Sequence, residues 1–222
     1  FISGDPKIMG PTTRQIHKEF DYFNTVFSEN YNQTYIANGA FDDYGLGTKF
    51  PWTKMEELKG VKIGAAGPNL PWLDFAGAAK VQTNLNEVYN ALQSGVFSGV
   101  VIFPAPYFGF KFGEVAKYYT TMGWGSVLAY PVTVNNDTWA KLPDSVKKII
   151  TEETTVYNDA VEDEGVRKYT SALENLAKQG VTVRDLGNEE RGKMARRSSL
   201  GSSRRPANTK PKASPARTRS VV

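Results

Sequence analysis

Val61–Tyr119, VKIGAAGPNLPWLDFAGAAKVQTNLNEVYNALQSGVFSGVVIFPAPYFGFKFGEVAKYY, is the stretch that decides the fold. Its apolar runs and turn residues alternate as strand, Gly-rich turn, helix, strand, helix, strand. Val61 to Ala65 is a short apolar run, closed at once by Gly67, Pro68 and Asn69. Such a turn leaves backbone N–H groups facing outward at the start of the next helix, where a ligand anion can sit. Aromatic residues around Trp72 and from Phe103 through Phe110 flank that turn. The stretch carries almost no catalytic chemistry and has the makings of half a ligand-binding cleft.

Working outward, Thr12 and Thr13 after Pro11 predict the cap of a helix with Ile16, Phe20, Phe23 and Phe27 at spacings of three and four. Thr34 to Ala37 reads as a strand, Gly39 to Tyr44 as a crossing loop, and Met55 to Gly60 as a short helix with a Gly stop. Asn69 is expected to cap the helix that Pro71 opens, and Asn84 the helix Leu85 to Gln93. Ala79 to Gln82 and Val100 to Phe103 read as strands, Phe110 to Tyr119 as a helix and Gly125 to Val134 as a long strand. Pro143 then opens a polar helix to Lys178, interrupted or bent near Gly165, and Val181 to Arg184 is a last strand. This alternation predicts an α/β fold with a largely parallel sheet.

With 222 residues and 40% apolar content, the chain suits one or two small lobes. The absence of cysteine excludes a disulfide framework, a thiolate nucleophile and any Cys-ligated metal site. No apolar run approaches the roughly 18–20 residues that span a bilayer. The chain opens at Phe1-Ile2-Ser3-Gly4 without an initiator Met, a basic start or an apolar signal core, as a fragment would. Its net charge of +4 conceals two regimes. Ten Lys or Arg and no acid follow residue 190, so residues 1–190 carry 17 basic against 23 acidic groups, a balance of −6. Arg191 to Val222, rich in Ser, Pro, Arg and Lys, reads as a disordered basic arm or as a frameshift artefact.

Several pieces occur together in a recognisable order: LKGVKIG at Leu58–Gly64, GPNLPW at Gly67–Trp72 and NEVYNALQSGVFSGV at Asn86–Val100. GFKFGEVAKYY at Gly109–Tyr119 and NNDTWAKLPDSVKKII at Asn135–Ile150 complete the set. Over roughly residues 30–185 the chain thereby resembles the substrate-binding proteins of tripartite ATP-independent periplasmic (TRAP) transporters. The resemblance implies a two-lobed periplasmic binding protein-like fold, incomplete here because about the first third and the last helices of such a protein are missing. Residues 1–41 and 128–167 would form the remainder of the first lobe, and 42–127 with 168–190 the second. The helix after Pro143 would lie across both lobes, and 191–222 would be the tail. The implied function is a periplasmic receptor that closes on a small organic acid and delivers it to TRAP membrane permease subunits, with no cofactor, no metal and no catalysis.

One departure matters. The family's usual Arg at the end of the KIR strand, which grips the ligand carboxylate bidentately, is Gly64 here. A second family position, an Asn, falls on Ile102, and no Arg occurs between Arg14 and Arg167. Lys111, beside Phe110 and Phe112, is the best charged substitute, although a lysine gives less geometric selection than a guanidinium and fits a solvated helix face as well. Asn69 is a candidate donor, and Asn84 is a candidate alongside its capping role. Trp72, Phe103, Tyr107, Phe108 and Trp124 are candidates for an aromatic wall, against the commoner use of aromatics as core. One of Phe41 and Tyr44 is expected to line the hinge side. Glu87 either faces the cleft or serves the helix N-terminus. Rings without the Arg point to an aromatic or larger monocarboxylic acid.

Two other classes fare worse. His17 is the sole histidine, with no cysteine or GxSxG serine to activate, and Asp42-Asp43 is an adjacent carboxylate pair whose side chains are expected to point apart. Nucleic-acid or anionic-surface binding through the basic tail is the alternative function, but the −6 charge of the body repels phosphate and no nucleic-acid partner is expected.

Overall fold

The computed structural model describes residues 3–126 and 129–202, with side chains described to Arg197 apart from Ala129. The chain opens with α1 (Pro6–Glu19), capped by Asp5, whose carboxylate accepts from the Lys7 N–H. Thr12 and Thr13 therefore lie inside the helix, where their hydroxyls donate to the Ile8 and Met9 carbonyls. The expected single helix is two, because Phe20 takes an extended backbone (φ −124°, ψ 97°) before α2 (Asp21–Tyr31). β1 (Gln33–Ala40) and β2 (Gly45–Thr48) follow, and β2 is a strand that no sequence pattern announced. A 3-10 turn, Met55–Leu58, leads to β3 (Lys62–Ala65), and a second 3-10 run, Gly67–Ala76, leads to β4 (Ala79–Gln82). Asn69 sits within that run and not at its cap, which is Ala66.

α3 (Val88–Ser94) stops at Gly95, whose φ of 78° completes the left-handed cap. β5 (Gly99–Ile102) and α4 (Pro104–Gly109) come next. The helix expected over Phe110–Tyr119 is absent. Lys111 adopts φ 58°, which ends α4, Phe112–Glu114 forms one 3-10 turn, and Tyr118–Thr121 enters the sheet as β6. The Phe112 ring, fully buried, draws the chain inward at that turn. β7 (Ala129–Asn135), α5 (Asn136–Lys141), the 35-residue α6 (Asp144–Lys178), β8 (Thr182–Asp185) and α7 (Asn188–Ser202) complete the order. Of the long strand expected from Gly125, residues 127–128 lie outside the described residues. α6 runs unbroken through Gly165, whose missing side chain admits Pro6 instead: a Cβ there would lie 3.0 Å from the proline ring.

β1 and β7 pair antiparallel as a two-stranded sheet, while the second sheet has the order β4-β3-β5-β2-β6-β8. It is mixed and not largely parallel. β3 runs parallel to β4 and β5, and β6 to β8, but β2 is antiparallel to both its neighbours. Apolar clusters cover its two faces: Leu46, Ile63, Ala65 and Val101 on one side, Leu92, Phe97, Val100 and Tyr119 on the other. The chain crosses between sheets after Ala40 and again between β6 and β7. α6 lies along both. At its middle Asn158 accepts from the Asn38 N–H, and buried Glu162 takes the Arg14 guanidinium at 2.5 Å. Near its end Leu176 is buried in the cluster on one face of the second sheet, with Leu173 packed against it.

The expected basic arm is ordered in its first part. α7 carries residues 191–202 as helix, with Met194 1% exposed in the core and its sulfur accepting from the Trp124 Nε1–H at 2.8 Å. Glu190 accepts from the Met55 N–H, and Arg197 pairs with Glu56 and donates to the Phe75 carbonyl. One well-placed methionine and the arginine contacts outweigh a polar average composition. The remainder of that expected arm, 203–222, lies outside the described residues. Met194→Ala is expected to cost about 2–5 kcal/mol and to shift tryptophan emission on urea denaturation; an unaltered transition would place this helix outside the cooperative fold.

Candidate functional site

β3, β4 and β5 run parallel, and their carboxyl ends open on one cavity of about 200 Å³. Ala66, Thr83 and Phe103, each the first residue beyond its strand, line it. From β3 the chain moves outward to β4 and then back across to β5 on the other side. Open α/β sheets leave a crevice at such a switch point, outside the carboxyl ends, and ligands bind there. The sequence supplied the strands but not their order, so this placement was invisible until the sheet was assembled.

Four of the expected site residues meet here: Tyr44, Asn69, Asn84 and Phe103. Asn69 is 1% exposed, and its side-chain N–H2 makes no hydrogen bond of good geometry. A buried donor without a well-formed hydrogen bond costs about 1–3 kcal/mol, and the Tyr44 hydroxyl is the group this amide acts on in the cavity wall. Burial raises the Tyr44 phenol above its ordinary pKa, with the Asp42 carboxylate adding to the rise and the Asn69 amide opposing it. Asn84 caps the turn before α3, accepting from the Asn86 N–H at 3.1 Å. Val100, Val101, Ile102, Leu85 and Val88 make the rest of the wall largely apolar, and no Lys or Arg lines it.

The other expected positions go elsewhere. Phe41 lines a neighbouring cavity of about 360 Å³ that shares Phe103, with Tyr130 and the α6 residues Glu164 and Lys168. Trp72 packs edge-on to Tyr44 at 5.3 Å and against Trp124 at 5.2 Å, behind the cavity. Trp124 is buried with Met194, and Phe108 packs at the edge of the opposite core face. Tyr107 is fully buried, donating to the Ala116 carbonyl at 2.6 Å, with its phenol pKa raised by burial. Lys111 is exposed in its left-handed turn and lines no cavity described here. Glu87 is exposed at the start of α3 and does not line the cavity either. Tyr107, Trp124 and Lys111 thus do not line the strand-end cavity, because the first two rings fill the core and the helix expected over 110–119, on which Lys111 was placed, does not form. Lys168, Thr83 and Tyr130 were missed; a helix lysine and an isolated threonine carry no local signal of a cavity.

Gly64 has a physical explanation. A Cβ at this position would lie 2.8 Å from the ring of Phe97, itself 1% exposed. The space that an arginine would need is occupied by a core phenylalanine. Ile102, at the second departure, lines the cavity with an apolar side chain while its carbonyl accepts from the Tyr119 hydroxyl at 2.8 Å.

The adjacent carboxylates have different partners, although both line one cavity. Asp43 accepts from the Gly123 and Gly125 N–H groups at 3.1 and 2.7 Å, tying the first chain crossing to the second. Asp42 is 6% exposed, and burial pushes its carboxyl pKa up to about 6, with the charge of Asp43 adding to the rise.

A cavity at the switch point of an α/β sheet, two chain crossings and one helix spanning both sheets define a cleft-type solute-binding fold. The chain belongs to bacterial extracellular solute-binding protein family 7 (DctP), which matches residues 19–199. It is 30% identical over 166 residues to the C4-dicarboxylate-binding periplasmic protein DctP of Rhodobacter capsulatus, covering 70% of this chain and 48% of that protein. It is 29% identical over 160 residues to the sialic acid-binding periplasmic protein SiaP of Vibrio cholerae, covering 65% and 49% respectively. The chain spans about half the length of these relatives. A TRAP periplasmic solute-binding protein of Desulfovibrio salexigens with bound orotic acid matches with a TM-score of 0.70 at 24% identity, over 82% of this chain and 63% of that one. A marine metagenome TRAP solute-binding protein specific for pyroglutamate matches at 0.75 and 16% identity, over 86% and 63%. At those identities the likeness shows the two-lobed α/β fold alone.

Gly64→Ala should lower stability by about 1–3 kcal/mol through overpacking against Phe97, measured by urea denaturation. Asp42 has a raised folded pKa, so its contribution to stability is fully present below the ordinary value of 3.8 and is lost as pH rises through about 6. Asp42→Asn is therefore expected to flatten the pH–stability profile over that window and to stabilise at pH 7 by on the order of 3 kcal/mol. A profile with the wild-type slope would place Asp42 in solvent.

Proposed function

We propose that this chain is the solute-receiving part of a periplasmic TRAP receptor, which binds a small organic acid between two lobes and hands it to the membrane permease subunits. Family membership supports the class, and the cavity at the carboxyl ends of β3, β4 and β5 carries the assignment of the site. On this proposal 1–41 with 128–167 belong to one lobe and 42–127 with 168–190 to the other, with α7 added to the second because Met194 packs there. The protein performs no chemistry on its ligand; closure around the solute is the event that signals occupancy.

The named relatives take a C4-dicarboxylate and sialic acid. For this chain we infer a monocarboxylic acid with an apolar or aromatic body. The wall formed by Val100 to Phe103 suits such a body, and the Asn69 amide has a hydrogen bond to give. With Phe97 in the place of the arginine, nothing in the cavity offers the two-pronged grip that a dicarboxylate would reward. Lys168, on the neighbouring cavity across Phe103, is the cation best placed for the carboxylate.

Thermal-shift measurement of the chain against aliphatic, aromatic and sugar-derived mono- and dicarboxylates tests the proposal. Aromatic or branched monocarboxylates are expected to raise Tm, and Asn69→Leu is expected to weaken that rise at least tenfold in apparent Kd, about 1.4 kcal/mol. No rise with any acid, or equal rises with Asn69→Leu, would remove the site.

A further inference from the structure

A different cavity, of about 360 Å³, lies where the chain crosses between its sheets. Gly4 and Pro6 at the start of α1, Asp42 and Asp43 in the first crossing, Gly123 and Gly125 in the second, and Val166 and Tyr169 on α6 enclose it. It is separate from the strand-end cavity and shares none of its lining.

The carboxylates around it are not equivalent. Both oxygens of Asp43 accept backbone N–H groups of the second crossing. Asp5 at the rim accepts from the Lys7 N–H. Asp42 is the one with capacity left, since its Oδ2 is buried and without a hydrogen-bond partner while the residue is only 6% exposed. A buried carboxylate with an unpaired oxygen is costly unless something positive or hydrogen-donating meets it. Lys168 attracts the Asp42 carboxylate electrostatically, but the two form no direct ion pair among the described residues. Lys168 reaches Glu164 at 3.5 Å, and Arg191 pairs with Asp185 and donates to the Thr121 and Met122 carbonyls.

The remaining wall narrows the class of ligand. Pro6, Val166 and the Tyr169 ring give apolar surface beside the carboxylate. Burial and the neighbouring Asp43 and Asp42 charges raise the Tyr169 phenol to about 12, so it stays neutral and its ring face can meet a cation. A divalent metal needs several anionic or imidazole ligands, and no group of three or more His, Cys, Asp or Glu that could hold one occurs among the described residues. We propose that this crossing-point cavity binds a small organic ammonium ion, with Asp42 as its counter-charge and Pro6, Val166 and Tyr169 around its carbon body. A bound ammonium would bridge α1, both chain crossings and α6, all of which line this cavity. Asp42 also lines the neighbouring Lys168 cavity, so the ammonium probe is titrated without any organic acid present, which keeps its failure distinct from a failure of the organic-acid reading.

n-Butylammonium chloride is the probe, titrated calorimetrically into the full 222-residue chain at neutral pH, with n-butanol and potassium chloride as controls. Saturable binding is expected with n-butylammonium and not with either control. Asp42→Asn should weaken it at least tenfold while keeping the wild-type circular dichroism spectrum. Should that variant fail to fold, Val166→Lys decides the matter, because its own ammonium reaches the cavity and should abolish the titration. Absence of saturable binding, equal binding of n-butanol, or a titration that survives Asp42→Asn or Val166→Lys would overturn the assignment.

Discussion

Two tyrosine rings packed on the bare glycine face of one strand hold the second sheet together. In β2 the positions facing α4 are Gly45 and Gly47, where a Cβ would lie 2.5 Å from the Tyr119 hydroxyl and 2.0 Å from the Tyr107 ring. The two rings contact each other at 4.9 Å, and their hydroxyls close onto the Ile102 and Ala116 carbonyls. The opposite face of the strand carries Leu46, fully buried in the other cluster. β2 is the only strand in this sheet antiparallel to its neighbours, and it joins the parallel trio β4-β3-β5 to the parallel pair β6-β8. Without the glycines the rings would be expelled, and the strand ends that form the cavity would lose their common frame.

A chain of aromatic contacts links this frame to the two adjoining cavities. Phe41 meets Phe103 at 5.1 Å, Phe103 meets Tyr44 at 5.3 Å, Tyr44 meets Trp72, and Trp72 meets Trp124, which bonds to Met194 of α7. Phe103 stands between the two adjoining cavities, so its rotamer is set from the crossing side by Phe41 and from the core side by Tyr44. Such interlocked rings are worth about 0.5–1.5 kcal/mol per pair beyond their buried area. They give the apolar wall a fixed shape, which is what a selective pocket needs more than it needs charge. Gly64 belongs to the same logic: a core ring fills the space that a side chain there would need.

The crossings are polar where the core is aromatic. Asp43 clamps the second crossing through two N–H groups, Asn158 and Glu162 on α6 hold Asn38 and Arg14, and Asp42 remains buried with an unmet oxygen. Hinge regions must exchange partners at modest cost, and directed hydrogen bonds do so more readily than interdigitated side chains.

The sequence alone determined the strands Val61–Ala65, Ala79–Gln82 and Val100–Phe103, the long helix from Pro143 to Lys178 and the class of protein, because each rests on local patterning or on ordered motifs. It also singled out Asn69, Asn84, Phe103 and Tyr44, which the structure gathers around one cavity, through turn chemistry and aromatic clustering beside a Gly-rich turn. It could not reveal β2, since Gly-Leu-Gly-Thr has no alternation to read and is a strand only because two distant tyrosines cover it. The core position of Tyr107 and Trp124 was hidden for the same reason: whether a ring faces a cavity or the core depends on which surface meets it across the sheet. Strand order, the identity of the ring beside Gly64 and the burial of Met194 are likewise long-range facts. They were decided by tertiary packing, in which a residue's role is set by neighbours tens of positions away in the chain.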